Sequence, residues 1–210
     1  MRLRNVAVAV AIAMMIAADC AAARADSAVP AMIVRVYDSG TVSPHVKAQS
    51  LDVARQVLGH VVRVSWKDCS ISQRNAACDA PAGSDFIVRL VQSSPPHHRR
   101  RELPLGDTFV DTGTHQAVLA TVYVDRVENV SAAAQFDTAR LLGYAIAHEV
   151  GHLLLASTAH SASGLMRPVW REDELGRGDP EDWKLTPLDA AAIARRLMPP
   201  HEPVRNSRRH

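Results

Sequence analysis

Along this chain, apolar and polar residues alternate in two distinct periods, and the switch between them marks out the elements. Residues 31–37 (AMIVRVY), 61–66 (VVRVSW), 85–91 (DFIVRLV) and 117–124 (AVLATVYV) are short, β-branched and bounded by turn residues, and each predicts a strand. Between the first two, residues 44–58 place Val46, Leu51, Val53, Ala54, Val57 and Leu58 on one face at helical spacing, with Gly59 as a C-cap. A second helical period starts near Ser131, a suitable N-cap, and runs to about Leu155 through Leu141, Leu142, Ala145, Ile146, Val150, Leu153 and Leu154. Residues 164–182 are rich in Gly, Pro and charge and read as loop. A last helix opens at Thr186-Pro187-Leu188-Asp189, with Thr186 as cap, proline at the first helical position and Asp189 near the positive end. It stops at Pro199-Pro200, and the tail 201–210 is expected to be disordered. Strands mixed with helices in this order imply an α/β or α+β domain over residues 26–200, built on a small sheet.

The first residues fall outside that domain. Arg2 and Arg4 precede an apolar run over 6–18, then Ala23-Arg24-Ala25 offers an A-x-A cleavage site, the layout of a secretory signal peptide over residues 1–25. The apolar run is short for a bilayer span, which argues against a retained membrane anchor. Removing the leader changes the charge as well. It takes three of the 24 basic and one of the 22 acidic residues, leaving 21 of each, so the basic pI is no argument for a nucleic-acid partner. With Cys20 gone and little chain before residue 30, an inhibitory pro-segment is not expected. Cys69 and Cys78 remain, and in an oxidising compartment they suggest a small disulfide loop, two free thiols being the alternative. The segment 93–104 (SSPPHHRRRELP) holds His97, His98 and Arg99 to Arg101 among prolines and reads as an exposed, solvated loop.

The candidate chemistry lies on the second helix. His148-Glu149-Val150-Gly151-His152 is H-E-x-x-H, and a four-residue step brings both imidazoles to one helix face, roughly 6 Å apart at Cβ. That is the bite of a zinc ion (Zn²⁺), with Glu149 placed to act on water rather than on the metal. The competing reading is a histidine pair that meets solvent or core without a metal. A catalytic zinc needs a third protein ligand and an open position. His160 is one candidate, and the carboxylates Glu172 and Glu174 further along are its rivals. His45, His60, His97, His98 and His115 lack ligand spacing, and His201 and His210 lie in the tail.

The stretch from residue 142 to about 170 resembles the active site of metzincin peptidases, above all the matrixin branch, whose pattern is H-E-x-x-H-x-x-G-x-x-H, often followed by serine and then a methionine turn. His148, Glu149 and His152 match the first three functional positions, His160-Ser161 is similar to the third histidine and its serine, and Gly164-Leu165-Met166 is similar to the methionine turn. Two positions depart from the pattern: Leu155 stands where the family has glycine, and Thr158 where it has the third histidine, so His160 comes two residues late. A wider turn would absorb the two extra residues and remove the need for glycine. The resemblance favours His160 over the carboxylates. It implies a zincin-like fold with a small twisted mixed sheet, Met166 as an apolar floor under the metal, Trp170 packed nearby, and an extended peptide lying along 117–124 as the sheet edge.

These readings together imply a secreted or periplasmic zinc endopeptidase acting on a peptide or protein substrate. Glu149 is its catalytic group, and His148, His152 and His160 are its metal ligands. A non-catalytic zinc-binding module and a zinc amidase are the alternatives. There is no serine nucleophile elbow, Cys–His pair or phosphate loop to support another enzyme class.

Overall fold

The computed structural model describes residues 29–70, 76–79, 85–92, 104–111, 113–114 and 116–197. The expected leader (1–25), most of the basic loop (93–103) and the tail from 198 lie outside the described residues, as does His115. Five strands form one sheet: β1 (Ala31–Asp38), β2 (Arg63–Asp68), β3 (Phe86–Val91), β4 (Gly106–Asp111) and β5 (Gln116–Tyr123). Their order is β2-β1-β3-β5-β4, with β4 antiparallel to β5 and every other pairing parallel. The helices are α1 (Pro44–Leu58), a single turn α2 (Ala76–Asp79), α3 (Val124–Ala134), α4 (Thr138–Leu155), α5 (Glu172–Arg177) and α6 (Pro187–Leu197), with a 3₁₀ turn at Pro180–Trp183. This is the mixed α/β domain that the periodicity implies. Among the described residues, no helix is long and apolar enough to cross a membrane.

Parallel strands need a crossover, and α1 supplies the one from β1 to β2. Ser43 caps it, its hydroxyl accepting from the Val46 amide. Val34, Val36, Val88, Leu90, Ala120 and Val122 are buried on the sheet face that α1 and α4 cover. Lys47 of α1 is buried as well, and its ammonium reaches Asp68 (2.8 Å), the Ser70 hydroxyl (2.9 Å) and Asp38 (3.6 Å). A buried cation needs such partners, and they tie α1 to the ends of β1 and β2. On the opposite sheet face, Arg35 is buried and donates to Asp85 and to the Cys78 carbonyl. The Cys69–Cys78 disulfide is formed and closes this loop.

Three expectations need correction. The helix expected from Ser131 to about Leu155 is two helices. Gln135 takes a left-handed conformation (φ 50°), and Ser131 sits inside α3, its hydroxyl bonded to the Phe136 carbonyl rather than capping a helix start. The true cap of α4 is Asp137, which accepts from the Arg140 amide at 2.7 Å. The strand at 117–124 is not the sheet edge, because β4, which carries no strand signal, pairs outside it. Residues 164–182 contain α5 and the 3₁₀ turn. Glu174 stabilises α5 by accepting from the Arg171 amide at 2.8 Å. The Thr186 cap of α6 is present as expected, its hydroxyl accepting from the Asp189 amide.

Helix α4 is buried along almost its whole length, which is why it reads as apolar on more than one face. It touches α1 through Gly143. A Cβ there would lie 2.6 Å from Val53 Cβ and 2.7 Å from the Ser50 carbonyl. Alanine normally gains about 1 kcal/mol over glycine inside a helix. Crowding against backbone costs about 1–3 kcal/mol, or more where nothing can move aside. We therefore expect Gly143→Ala to lower unfolding stability in urea titration, despite its better helix propensity. A stabilised variant would contradict the close helix contact.

Candidate metal centre

Three residues of α4, His148, Glu149 and His152, supply the first part of the site. His148 and His152 are buried, and each ring donates its Nδ1–H to a backbone carbonyl: His148 to Leu165 at 2.8 Å, His152 to Ser157 at 2.7 Å. A carbonyl only accepts, so both Nδ1 atoms carry the proton and both Nε2 atoms carry a lone pair. Those Nε2 atoms face each other 3.1 Å apart. Burial pushes His148 down to about 4, reinforced by the charges of His152, His160 and Arg167, and outweighs the Leu165 carbonyl, which acts the other way. Burial likewise lowers His152. Both rings are thus neutral near pH 7.

His160 arrives from outside the helix. The chain leaves α4 at Ala156, in the left-handed conformation (φ 44°), and the Ser157 amide returns to the His152 carbonyl. The wider turn thus does not dispense with a left-handed residue. It moves that residue one position past Leu155 and gives it to alanine, at a conformational cost of about 1 kcal/mol. The exposed His160 ring then lies 4.9 Å from the His152 ring and 5.4 Å from the His148 ring, centre to centre. Its neighbour Ser161 is pinned twice, by its amide to the Met166 carbonyl and by its hydroxyl to Asp189 at 2.7 Å. Since Asp189 also accepts from the Thr186 hydroxyl, the start of α6 anchors the third imidazole.

Three ring nitrogens, one from each histidine, lie within 4.8 Å of one another. Tetrahedral zinc with bonds of roughly 2.0–2.1 Å sets its nitrogens about 3.3 Å apart. The two helix imidazoles already stand near that spacing, at 3.1 Å, and the exposed His160 ring completes a three-sided group within 4.8 Å. The donor set therefore fits the metal. Glu174 does not join it: its carboxylate pairs with Arg167 at 3.2 Å. Glu172 lies at the start of α5, its side chain outside the described residues. His45 and His60 are exposed and remote in sequence from the cluster, as their lack of ligand spacing implies.

Glu149 projects from α4 toward β4. Its Oε2 accepts from the Thr108 hydroxyl at 2.6 Å. Burial raises its carboxyl to about 7, with Asp107 adding to the rise and the Thr108 hydrogen bond opposing it. A cation at the three imidazoles would draw that value back down by favouring the charged form.

Beneath the histidines lies a tight turn. Gly164 is left-handed (φ 72°), and a Cβ there would lie 2.5 Å from the Lys184 carbonyl. Arg167 is buried and donates to the carbonyls of Gly164 (3.0 Å) and Asp182 (2.6 Å), holding the turn so that Leu165 can receive His148. Met166 is fully buried under α4 against Gly151, the one position in H-E-x-x-H where a side chain would strike its sulfur. Trp170 meets the His148 ring edge-on at 5.6 Å. The cleft over these groups measures about 630 Å³, with Gly106 and Thr108 of β4 on one rim and Pro168 to Trp170 on the other. Nothing in the pattern of the chain marks Thr108, Gly106, Gly151, Arg167 or Asp189 as parts of the site, because each meets a partner distant in sequence.

No family model matches the chain, and no curated protein matches it by sequence. Solved structures do. A zinc-dependent peptidase from Methanocorpusculum labreanum is similar with a TM-score of 0.50 and 16% identity, over 77% of this chain and 99% of that one. Metalloproteinase-II from Bacteroides fragilis is similar with a TM-score of 0.50 and 12% identity, over 80% of this chain and 54% of that one, so the chain spans about half its length. Archaemetzincin from Methanopyrus kandleri follows at a TM-score of 0.47 and 16% identity, over 79% and 95%. At these identities the likeness is one of fold: the five-stranded mixed sheet with its helices is a fold that zinc-dependent peptidases use.

Gly151→Ala should force Met166 out of its seat and cost about 1–3 kcal/mol of stability. Chemical denaturation checks this. Unchanged stability would mean that Met166 does not press on the helix as described.

Proposed function

We propose that this chain is a zinc-dependent peptidase, exported from the cell and cleaving peptide bonds within its substrates. The observation that carries the reading is the convergence, around one cleft, of two buried imidazoles whose Nε2 atoms face each other, a third imidazole from a separate turn, and the buried Glu149 carboxylate. His148, His152 and His160 would hold the zinc. When bound there, zinc supplies a Lewis acid that polarises a carbonyl and acidifies water.

The chain's own residues carry out the rest. Glu149 Oε1 has no hydrogen-bond partner among the described residues, and it is the oxygen we assign to take a proton from the attacking water. The same carboxyl then passes that proton to the departing amine. The Nδ1–H bonds to Leu165 and Ser157 hold the two helix imidazoles in the ligand tautomer throughout. Strand β4, whose outer edge is unpaired among the described residues, offers its backbone to an extended substrate, the role first assigned to 117–124. The likeness to solved zinc peptidases supports the fold on which this rests. The H-E-x-x-H stretch, with His160-Ser161 and Met166, supports a metzincin-type site. The A-x-A leader supports export, and the formed Cys69–Cys78 disulfide is in keeping with an oxidising compartment.

Glu149→Gln should retain one zinc per chain while hydrolysis of a mixed peptide library falls about 10²–10⁴-fold. Activity unchanged by this substitution would favour a non-catalytic zinc module. Loss confined to non-peptide amides would favour an amidase. The exported protein should begin at Asp26 on N-terminal sequencing, and an intact Met1 would remove export from the reading.

A further inference from the structure

We propose that Thr108 is a positioning residue for Glu149, and that the inward face of β4 is a mould for one conformation of that carboxylate. The inference rests on the peptidase reading above and assigns this strand a part in the chemistry beyond seating a substrate. Residues two apart in a strand share a face, so Gly106 and Thr108 both point at α4. Thr108 is buried, and its hydroxyl lies 2.6 Å from Glu149 Oε2 and 3.2 Å from the Glu149 backbone carbonyl. Gly106 supplies the space beside it. A Cβ there would lie 2.6 Å from both Cγ and Cδ of Glu149. One residue thus ties down one carboxylate oxygen, and the other leaves the room that this conformation needs.

A glutamate side chain has three rotatable bonds, and freezing them costs up to about 2 kcal/mol of entropy. An untethered Glu149 would spend much of its time away from the histidines. With Oε2 held by Thr108, Oε1 rests beside Gly106, in the wall of the cleft that the three histidines also line. Positioning of this kind acts on the chemical step and leaves substrate binding alone. A role in stability alone would leave the chemical step of the folded protein untouched.

Thr108→Val keeps the shape and removes the hydroxyl. We expect kcat to fall about 10- to 100-fold, as for loss of a hydrogen bond to a charged group, with KM within about twofold. Zinc affinity, measured by competition with a chelating dye, should not change. Thr108→Ser restores the hydroxyl and should return kcat to within about threefold of the parent. Gly106→Ala, which fills the seat, should lower kcat as Thr108→Val does. Crystal structures of the Thr108→Val protein should show the Glu149 carboxylate displaced from beside Gly106.

An unchanged kcat in Thr108→Val would overturn the proposal, as would a parallel loss of zinc or a Thr108→Ser variant as impaired as Thr108→Val. So would a Glu149 carboxylate that stays in place without the hydroxyl. This last readout needs neither metal nor turnover. A parent protein that binds zinc yet cleaves no peptide would defeat the peptidase reading and leave the positioning test standing.

Discussion

Two neutral imidazole nitrogens aim lone pairs at each other from 3.1 Å inside the protein, and most of the site's architecture serves to keep them there. Left alone, that arrangement is unfavourable, because both atoms are acceptors and neither has a proton to give the other. A cation between them turns the repulsion into coordination. Each ring is denied the easy escape of a tautomer switch, because its far nitrogen is committed to a backbone carbonyl. Protonation is equally disfavoured, since burial lowers both rings.

The supporting structure follows from that constraint. The carbonyl that fixes His148 belongs to Leu165, whose turn is held by a left-handed glycine, by the buried Arg167 guanidinium and by the Lys184 carbonyl. The carbonyl that fixes His152 belongs to Ser157, which lies where the helix has just unwound at Ala156. Ser161 and Asp189 then link the third histidine to the last helix. Elements on either side of the site thus converge on three side chains, and α4 is gripped from behind by α1 through Gly143. A frame of this kind fixes the two helix imidazoles and brings the third close to them.

Much of this was legible in the chain. The apolar period of α4 and the four-residue histidine step fall on a helix that the structure also has, and the Thr186 cap and the Cys69–Cys78 pairing need only local chemistry. Strand β4 was illegible for a physical reason. Its sequence GDTFVD turns a threonine inward to a carboxylate and leaves Phe109 66% exposed, which inverts the usual apolar-in pattern. The break between α3 and α4 uses Gln135 in a left-handed conformation with no glycine or proline to announce it. Helix α5 has little apolar content and depends on Glu174, whose carboxylate serves both the Arg171 amide and Arg167. The glycines at 106, 143 and 151 could be seen but not interpreted, because what each makes room for comes from another part of the chain.

X-ray absorption at the zinc edge tests the central claim most directly, because it counts and types the ligands without relying on turnover. Protein purified with zinc should show one ion per chain in a nitrogen and oxygen shell at roughly 2.0–2.1 Å, with the multiple scattering of three imidazoles. Substituting His160 should reduce that count by one ring. A sulfur shell, an imidazole count indifferent to His160, or no stoichiometric zinc would contradict the account.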